Sequence, residues 1–324
     1  MKVVMEPMPS GIGPGESADV FLKEMQATFP DVEFVEVAEE ADQIREVADA
    51  EVYYGWPSRD VYLAGKNLKW MHCPGTGIDK LMAIPELVAS EIPITNAREP
   101  HVAPMADHVF GFIIALAHKL HWMWDDQKAK RWRMYDYAWK QMDLEGSTLG
   151  IVALGNIGRA VAKRAQGFSM NVYAVDKFPR PSEHAKEVWG MDKLDELLAI
   201  SDWLVVTAPI TDETRMMIDK SKLALMKKGA HVIIISRGGI VDEYALADAI
   251  ESGHLGGAGI DALEPEPPVP DSPLWDNPNI IISPHASAFT PGLYIGRRNV
   301  FKENFRRYLA DEPFLYVCDK KLGY

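Results

Sequence analysis

Short apolar runs alternate with amphipathic stretches along the N-terminal third of the chain. The apolar runs predict β-strands, and the amphipathic stretches between them predict helices. The predicted strands are Val3–Met5, Glu33–Val37, Val52–Tyr54, Lys69–Cys73 and Ile92–Thr95, and the predicted helices are Ala18–Thr28, Asp42–Ala48 and Ile84–Ser90. Because this rhythm is typical of strands joined by crossover helices, it indicates an α/β unit with a parallel sheet covered on both faces.

The pattern changes around residues 96–104. This segment is polar, contains two prolines and leads into a long helical run from about Met105 to Lys130. We interpret it as a crossing between two domains.

A second strand–helix series follows this crossing. Its predicted strands are Thr148–Ala153, Asn171–Val175, Trp203–Thr207, His231–Ile235, Gly257–Ile260 and Ile280–Ile282, and its predicted helices are Asn156–Gly167, Leu194–Ile200, Lys220–Met226 and Asp242–Glu251. Six strands in this rhythm favour a doubly wound dinucleotide-binding sheet. A last helix, Gly292–Leu309, leaves this unit, and the tail behind it can return to the first unit and complete it.

Composition narrows the class of partner. The chain has 324 residues, 47 acidic and 34 basic, with a formal net charge of −13, so we expect about two domains and no nucleic-acid partner. The longest apolar stretch, Val109–Ala117, is shorter than a membrane span, and we expect no membrane partner. The N-terminal residues lack the features of a signal peptide, and Cys73 and Cys318 form no CxxC pair, so we expect a reducing cytoplasm.

The strand at residues 149–153 runs into a glycine turn and then a helix. Ala153, Gly155 and Gly158 occupy the glycine positions of a G-x-G-x-x-G motif. Ala can replace the first glycine if its φ stays negative. Gly155 would let the backbone approach a pyrophosphate at the helix N-terminus, and Gly158 would let the helix pack on the strand.

A second strand ends in Asp176, 21 residues after Gly155. This is close to the spacing of a carboxylate that binds the ribose hydroxyls of NAD, and a 2′-phosphate would be repelled there. We therefore predict NAD, with NADP less favoured. Lys177 and Arg180 weaken this preference.

Polar residues follow three later strands, at the edge where open α/β sheets bind ligands. They are Arg237, the pair Glu264 and Glu266, and His285. Arg can hold the carboxylate of a 2-oxo acid, and His can give a proton to the alkoxide that forms during hydride transfer. A nearby Glu would favour the charged imidazolium.

In this order and spacing, the segments resemble the D-isomer-specific 2-hydroxyacid dehydrogenases over nearly the whole chain. The matching segments are Pro74–Asp79, the glycine turn with Asp176, Ser236–Gly239, Asp261–Pro267 and Ser283–His285. The resemblance implies two similar doubly wound α/β domains. One is a substrate-binding, flavodoxin-like domain made of residues 1–97 and 290–324, and the other is a Rossmann NAD-binding domain made of residues 98–289.

The resemblance also implies roles for single residues. Arg237 binds substrate, Glu266 rather than Glu264 pairs with the histidine, and His285 is the acid/base. Gly75, Thr76 and Gly77 hold the substrate carboxylate, and Asp261 holds the nicotinamide carboxamide. The predicted cofactor-binding set is Gly155, Asn156, Ile157, Gly158, Asp176, Pro209 and Asp261. The family dimerises through its nucleotide domain, and the aromatic segment 122–139 resembles the arm that wraps the partner subunit.

Some positions depart from the family pattern. Ala153 replaces a glycine, and Asp107 stands where the family commonly has Glu. Glu266 argues against the formate-oxidising branch, and Thr76 argues against phosphite oxidation. His101, His108, His118 and His121 lie on or before one helix, and we expect no metal site there.

We therefore predict an NAD-dependent oxidoreductase that interconverts a small anionic D-2-hydroxy acid and its 2-oxo acid. A non-catalytic NAD-sensing interaction protein is an alternative. A dehydrogenase of another acid-bearing substrate, a sulfonate or a phosphonate, is a second alternative.

Overall fold

A computed structural model of the chain describes residues 1–8, 13 and 15–324. The chain forms two compact units. The first contains residues Met1–His101 and Phe289–Tyr324, and the second contains residues Val102–Ala288. The functional assignment of the two units stays a prediction at this point.

The first unit is built on five parallel strands with the order β2-β1-β3-β4-β5. This is the flavodoxin-like order, in which the chain reverses its direction across the sheet between β1 and β3. The strands are β1 (Lys2–Met5), β2 (Glu33–Glu36), β3 (Val52–Tyr54), β4 (Trp70–Cys73) and β5 (Ile94–Asn96). The helices are α1 (Val20–Thr28), α2 (Glu40–Val47), α3 (Arg59–Ala64), α4 (Asp79–Met82) and α5 (Pro85–Ala89), and a 3₁₀ turn spans Glu99–His101.

The second unit is built on seven parallel strands with the order β12-β11-β10-β9-β6-β7-β8. The strands are β6 (Thr148–Val152), β7 (Asn171–Val175), β8 (Glu187–Trp189), β9 (Trp203–Val206), β10 (His231–Ile234), β11 (Gly257–Ile260) and β12 (Ile280–Ile282). The helices are α6 (Val102–Ala117), α7 (Leu120–Lys128), α8 (Asn156–Gln166), α9 (Leu194–Ile200), α10 (Lys220–Leu223) and α11 (Glu243–Glu251). Read from β8, the order is that of a Rossmann sheet with one strand added.

The predicted fold class of two doubly wound parallel sheets is confirmed. The strand β8 was missing from the six predicted, because it has three residues, none of them buried, and lies at the sheet edge. The sequence of such a strand shows neither a run of apolar residues nor a regular alternation of apolar and polar residues.

The single helical run predicted from Met105 to Lys130 is wrong. The chain forms α6 and α7, and Lys119 between them has φ 55°, a left-handed value that ends one helix before the next begins. Lysine has a high helix propensity, so this break leaves no mark in the sequence pattern.

The stretch Glu99–Ala117 is long and apolar enough, by length and composition, to be a candidate membrane span. However, 56% of its most apolar window is buried inside the protein, which is also typical of a core helix. Helix α6 packs on α8 and on β11.

The end of the chain completes the first unit. Helix α12 (Pro291–Leu309) places the fully buried Phe301 and Phe305 against Trp70 of β4. Beyond the helix, the Asn96 amide donates to the Tyr316 carbonyl at 3.1 Å and the Cys318 amide donates to the Ile94 carbonyl at 2.8 Å. The tail therefore returns to the first unit, as predicted, and it does so by pairing with the edge strand β5.

Candidate active site

The carboxyl ends of three neighbouring strands meet at one edge of the second sheet. Ile260 of β11 is in register with Ile234 of β10 and with Ile282 of β12. Arg237, Asp261 and His285 follow these three strands within three residues of each strand end. The parallel register therefore brings the predicted acid/base and the substrate arginine to the same edge of the sheet, on strands that flank β11.

The structure pairs His285 with Glu266. The Nδ1 atom of His285 lies 2.9 Å from Oε2 and 3.0 Å from Oε1 of Glu266. The same carboxylate accepts the Leu263 amide at 3.0 Å, which fixes its orientation. Glu264, the alternative partner, instead forms an ion pair with Arg215 at 2.7 Å.

A buried carboxylate shapes the loop that carries His285. Asp261 is 2% exposed, and its Oδ1 accepts the amides of Ala286 at 2.9 Å and Ser287 at 3.2 Å, together with the hydroxyl of Ser283. The His285 amide donates to the Asp261 carbonyl at 2.9 Å, and His285 has φ 52°. Asp261 thus holds His285 in a left-handed conformation that non-glycine residues seldom adopt.

His108 is a member of this network that we did not assign to the site. Its Nε2 lies 3.0 Å from the Ser283 hydroxyl, which in turn donates to Asp261. Burial lowers the pKa of His108, and the negative charge of Asp261, which would raise it, offsets only part of this effect. Ser283 lies 175 residues further along the chain, so no local sequence signal marks the contact.

Glu243 is a second unassigned member. It is 7% exposed, and it accepts the Gly239 amide at 3.2 Å and the Glu264 amide at 3.2 Å. Burial first, and then the charges of Glu264 and Glu266, raise the pKa of Glu243 to about 7, while the two amide hydrogen bonds oppose this shift. Glu243 therefore ties the turn after β10 to the loop that carries Glu266.

Arg237 lies in a turn whose packing requires a glycine at the next position, Gly238. Its Nη1 donates to the Ser236 carbonyl at 2.8 Å. A Cβ on the next residue, Gly238, would lie 2.1 Å from the carbonyl carbon of Leu263. The lack of a side chain at Gly238 therefore lets the arginine turn pack directly on the loop of Asp261 and Glu266.

The glycine turn after β6 differs from our expectation at its first position. Ala153 has φ 72°, so the premise that its φ stays negative is wrong. A Cβ at Gly158 would lie 2.5 Å from the Ala153 carbonyl oxygen, so this glycine is required for helix packing. A Cβ at Gly155 would meet no protein atom within 4 Å, so packing of the protein does not explain this glycine.

Helix α8 begins at Asn156, directly after this turn, and no side chain caps its N-terminus. Gly155 and Asn156 are exposed, Ile157 is half-buried, and Gly158 is buried. The free amides of the first helical turn form an anion-binding position. The open space at Gly155 therefore fits the pyrophosphate of a dinucleotide.

Asp176 stands beside this turn. Its Oδ2 accepts the Leu154 amide at 2.7 Å, and its Oδ1 accepts the Phe178 amide at 2.8 Å. Lys177 forms an ion pair with Glu213 at 2.5 Å. Pro209 follows β9 at the same edge of the sheet and is half-buried.

The predicted substrate loop belongs to the first unit and follows β4. The Asn96 amide group donates to the Thr76 carbonyl at 2.6 Å, and the Cys73 thiol donates to the Gly77 carbonyl at 3.4 Å. A Cβ at Gly75 would lie 2.8 Å from the Trp56 ring. The loop is thus held by its own unit, with Gly75 against an aromatic face.

Other residues singled out in the sequence have structural partners. Asp107 pairs with Arg164 of α8 at 2.6 Å. In the aromatic segment, Trp132, Tyr135 and Trp139 are 91%, 82% and 102% exposed, and the dimer contact that they suggest stays a prediction. Within residues 1–8, 13 and 15–324, no group of three or more His, Cys, Asp or Glu side chains has the geometry of a metal site.

A model of a known protein family matches the sequence of the second unit. The family model for the NAD binding domain of D-isomer specific 2-hydroxyacid dehydrogenases matches residues 110–287. The chain therefore belongs to the D-isomer specific 2-hydroxyacid dehydrogenase family.

Relatives within the family differ in substrate. D-3-phosphoglycerate dehydrogenase of Bacillus subtilis is 36% identical over 234 residues, which cover 72% of this chain and 44% of the relative. The alignment thus spans less than half the length of that enzyme. Glyoxylate reductase of Thermococcus kodakarensis is 31% identical over 250 residues, which cover 76% of this chain and 74% of the relative.

A solved structure matches both units of the chain. The family member from Xanthobacter autotrophicus, in complex with NADPH and MES, has a TM-score of 0.81 and 26% identity, and the match covers 100% of this chain and 99% of that one.

Replacement of Ala153 by Gly should stabilise the protein. A left-handed φ costs a residue with a Cβ roughly 1–2 kcal/mol, while glycine loses about 0.5–1 kcal/mol in chain entropy. We expect Ala153→Gly to raise the free energy of unfolding by up to about 1 kcal/mol in urea denaturation. Ala160→Gly, inside α8, is the control and should lower it by about 1 kcal/mol. A lower free energy of unfolding for Ala153→Gly than for the wild type would contradict the inference that the positive φ of Ala153 is strained.

Glu243 should make stability depend on pH. Because its pKa is raised from the ordinary value of 4.5 to about 7, its contribution is fully present below pH 4.5 and is lost as the pH rises through about 7. Glu243→Gln should therefore gain stability relative to the wild type between pH 5 and pH 8.5, measured as the shift in the urea midpoint. Glu251→Gln gives the effect of removing an exposed carboxylate from the same helix. A difference between Glu243→Gln and wild type that stays constant with pH would contradict the assignment.

Proposed function

We propose that the protein transfers a hydride between NAD(H) and a D-2-hydroxy acid/2-oxo acid pair. The observation that carries this proposal is the pairing of His285 Nδ1 with Glu266 at 2.9 Å, at the sheet edge that also carries Arg237 and the glycine turn. When bound, the nicotinamide supplies or accepts the hydride. The side chains of the site supply the proton and the charge that binds substrate.

The proton is held at one atom of His285. Because Nδ1 donates to Glu266, Nε2 is the atom left to face substrate. In reduction, the imidazolium gives the Nε2 proton to the oxygen that becomes the hydroxyl. In oxidation, neutral Nε2 takes the proton back. The carboxylate of Glu266 accepts the Nδ1 hydrogen bond and so fixes the orientation of the ring.

Arg237 binds the acid group of the substrate. A guanidinium binds a carboxylate through two parallel hydrogen bonds and polarises the adjacent carbonyl. The backbone of Gly75, Thr76 and Gly77 follows a parallel strand, where N–H groups can point at an anion. The substrate class is therefore a small 2-oxo acid.

The residues at the glycine turn support a dinucleotide, with NAD preferred. Gly155, Asn156, Ile157 and Gly158 would hold the pyrophosphate, and Asp176 would accept hydrogen bonds from the adenosine ribose. Lys177, one of two cations close to Asp176 in sequence, is paired with Glu213. This argues for NAD, although the Xanthobacter relative binds NADPH.

An assay of purified protein tests the function. We expect 2-oxo acid reduction in a panel of glyoxylate, pyruvate, hydroxypyruvate and phenylpyruvate. Since a phosphate beside a carboxylate costs several kcal/mol, kcat/KM with NADH should exceed that with NADPH by at least about tenfold. NADH binding without turnover of any 2-oxo acid would contradict the proposal and favour an NAD-sensing role.

Variants of Glu264, Glu266 and His285 test the mechanism. Glu266→Gln should lower kcat about 10- to 100-fold, since a hydrogen bond to a charged group contributes about 1.5–3 kcal/mol. His285→Ala should lower kcat about 10²–10⁴-fold while NADH still binds. Glu264→Gln is the matched control, because Glu264 pairs with Arg215, and it should keep wild-type kcat. Equal losses in the two Glu variants would contradict the assignment of Glu266.

A further inference from the structure

The first unit contains a cavity at the carboxyl ends of β1, β2 and β3. Its empty space is about 380 Å³, part of which is continuous with solvent. Glu36 ends β2, Tyr54 ends β3, and Tyr294 and Arg297 come from α12. Met8, Val20 and Phe21 supply an apolar wall.

Arg297 lines this cavity without a carboxylate partner. The side chain is 8% exposed, and its Nη2 lies 2.8 Å from Nε2 of His101. Since His101 Nδ1 lies 2.8 Å from the Ala97 carbonyl and must donate to it, Nε2 accepts from Arg297 and the ring is neutral. In the described part of the chain, the Nε of Arg297 has no hydrogen-bond partner and no carboxylate pairs with the guanidinium.

The neighbouring arginine, unlike Arg297, has a carboxylate partner. Arg298 lines the same cavity, and Glu16 pairs with it at 2.9 Å. A buried guanidinium with no counter-charge is costly, because the protein interior stabilises an isolated ion far less than water does. An anion that enters the cavity would remove this cost.

The lining of the cavity also contains a carboxylate. Glu36 is half-buried, and burial and the charge of Asp19 raise its pKa. The buried hydroxyl of Tyr54 is within electrostatic range of both Arg297 and Glu36. The lining of the cavity therefore includes a cation, a carboxylate and a phenol beside an apolar wall.

We propose that this cavity binds a small free α-amino acid, with its carboxylate on Arg297, its ammonium on Glu36 and its side chain against Met8 and Phe21. A zwitterion matches both charges, whereas a simple carboxylate leaves Glu36 unpaired and a simple amine leaves Arg297 unpaired. The site is separate from the loop Gly75–Gly77 in the residues that form it.

Isothermal titration with three probes tests the proposal. L-Alanine carries both charges, propionate lacks the ammonium, and ethylamine lacks the carboxylate. We expect L-alanine to bind the wild type at least tenfold tighter than either of the others. Equal affinity for L-alanine and propionate, or no saturable binding of L-alanine up to on the order of 10 mM, would overturn the proposal.

Variants locate the binding. Arg297→Met should weaken L-alanine binding at least tenfold, and Arg307→Met, on the same helix and paired with Glu303, should leave it unchanged. Glu36→Gln should weaken L-alanine binding while propionate binding stays the same. If Arg297→Met does not fold, the two titrations of Glu36→Gln decide the question, and equal effects on both probes would overturn the proposal.

One variant separates this site from the proposed substrate site. Arg237→Met, in the second unit, should keep L-alanine binding even if it loses turnover of 2-oxo acids. Loss of L-alanine binding in Arg237→Met but not in Arg297→Met would place the amino acid on Arg237 and overturn the proposal. The outcome does not depend on whether the protein reduces any 2-oxo acid.

Discussion

The candidate active site depends on the buried carboxylate of Asp261. It accepts two backbone amides and one hydroxyl from the segment that follows β12, and its own backbone carbonyl accepts the amide of His285. Together with the bond from the His285 amide to the Ser283 carbonyl, these bonds hold His285 at φ 52°. Glu266, which the Leu263 amide orients, then pairs with Nδ1 and leaves Nε2 to carry the proton toward substrate.

The sheet edge and most of its functional side chains could be predicted from the sequence, because they follow apolar runs directly. A buried parallel strand is short and continuous in its hydrophobicity, and its end is easy to find. Arg237, Glu266 and His285 lie within a few residues of such ends. Because these strands are parallel and neighbours in the sheet, their carboxyl ends, and the side chains that follow them, lie at one edge.

Other features could not be predicted, because they depend on contacts across long sequence separations or on backbone angles. His108 reaches Ser283 across 175 residues, and Glu243 joins two loops through their amides. Ala153 and Lys119 adopt positive φ values, and nothing about alanine or lysine as residue types predicts them. The resemblance assigned the histidine pairing to Glu266, whereas the pairing of Glu264 with Arg215 could be found only in the structure.

The discontinuity of the first unit has a consequence for the order in which the protein folds during synthesis. Residues Val102–Ala288 form a unit of their own, whereas Trp70 of the first sheet is covered by Phe301 and Phe305. On the ribosome, all residues of the second unit are synthesised before Phe301 and Phe305, which bury Trp70 of the first unit. Trp70 of β4 therefore stays exposed to solvent, and to chaperones, until residues 301–305 have been synthesised.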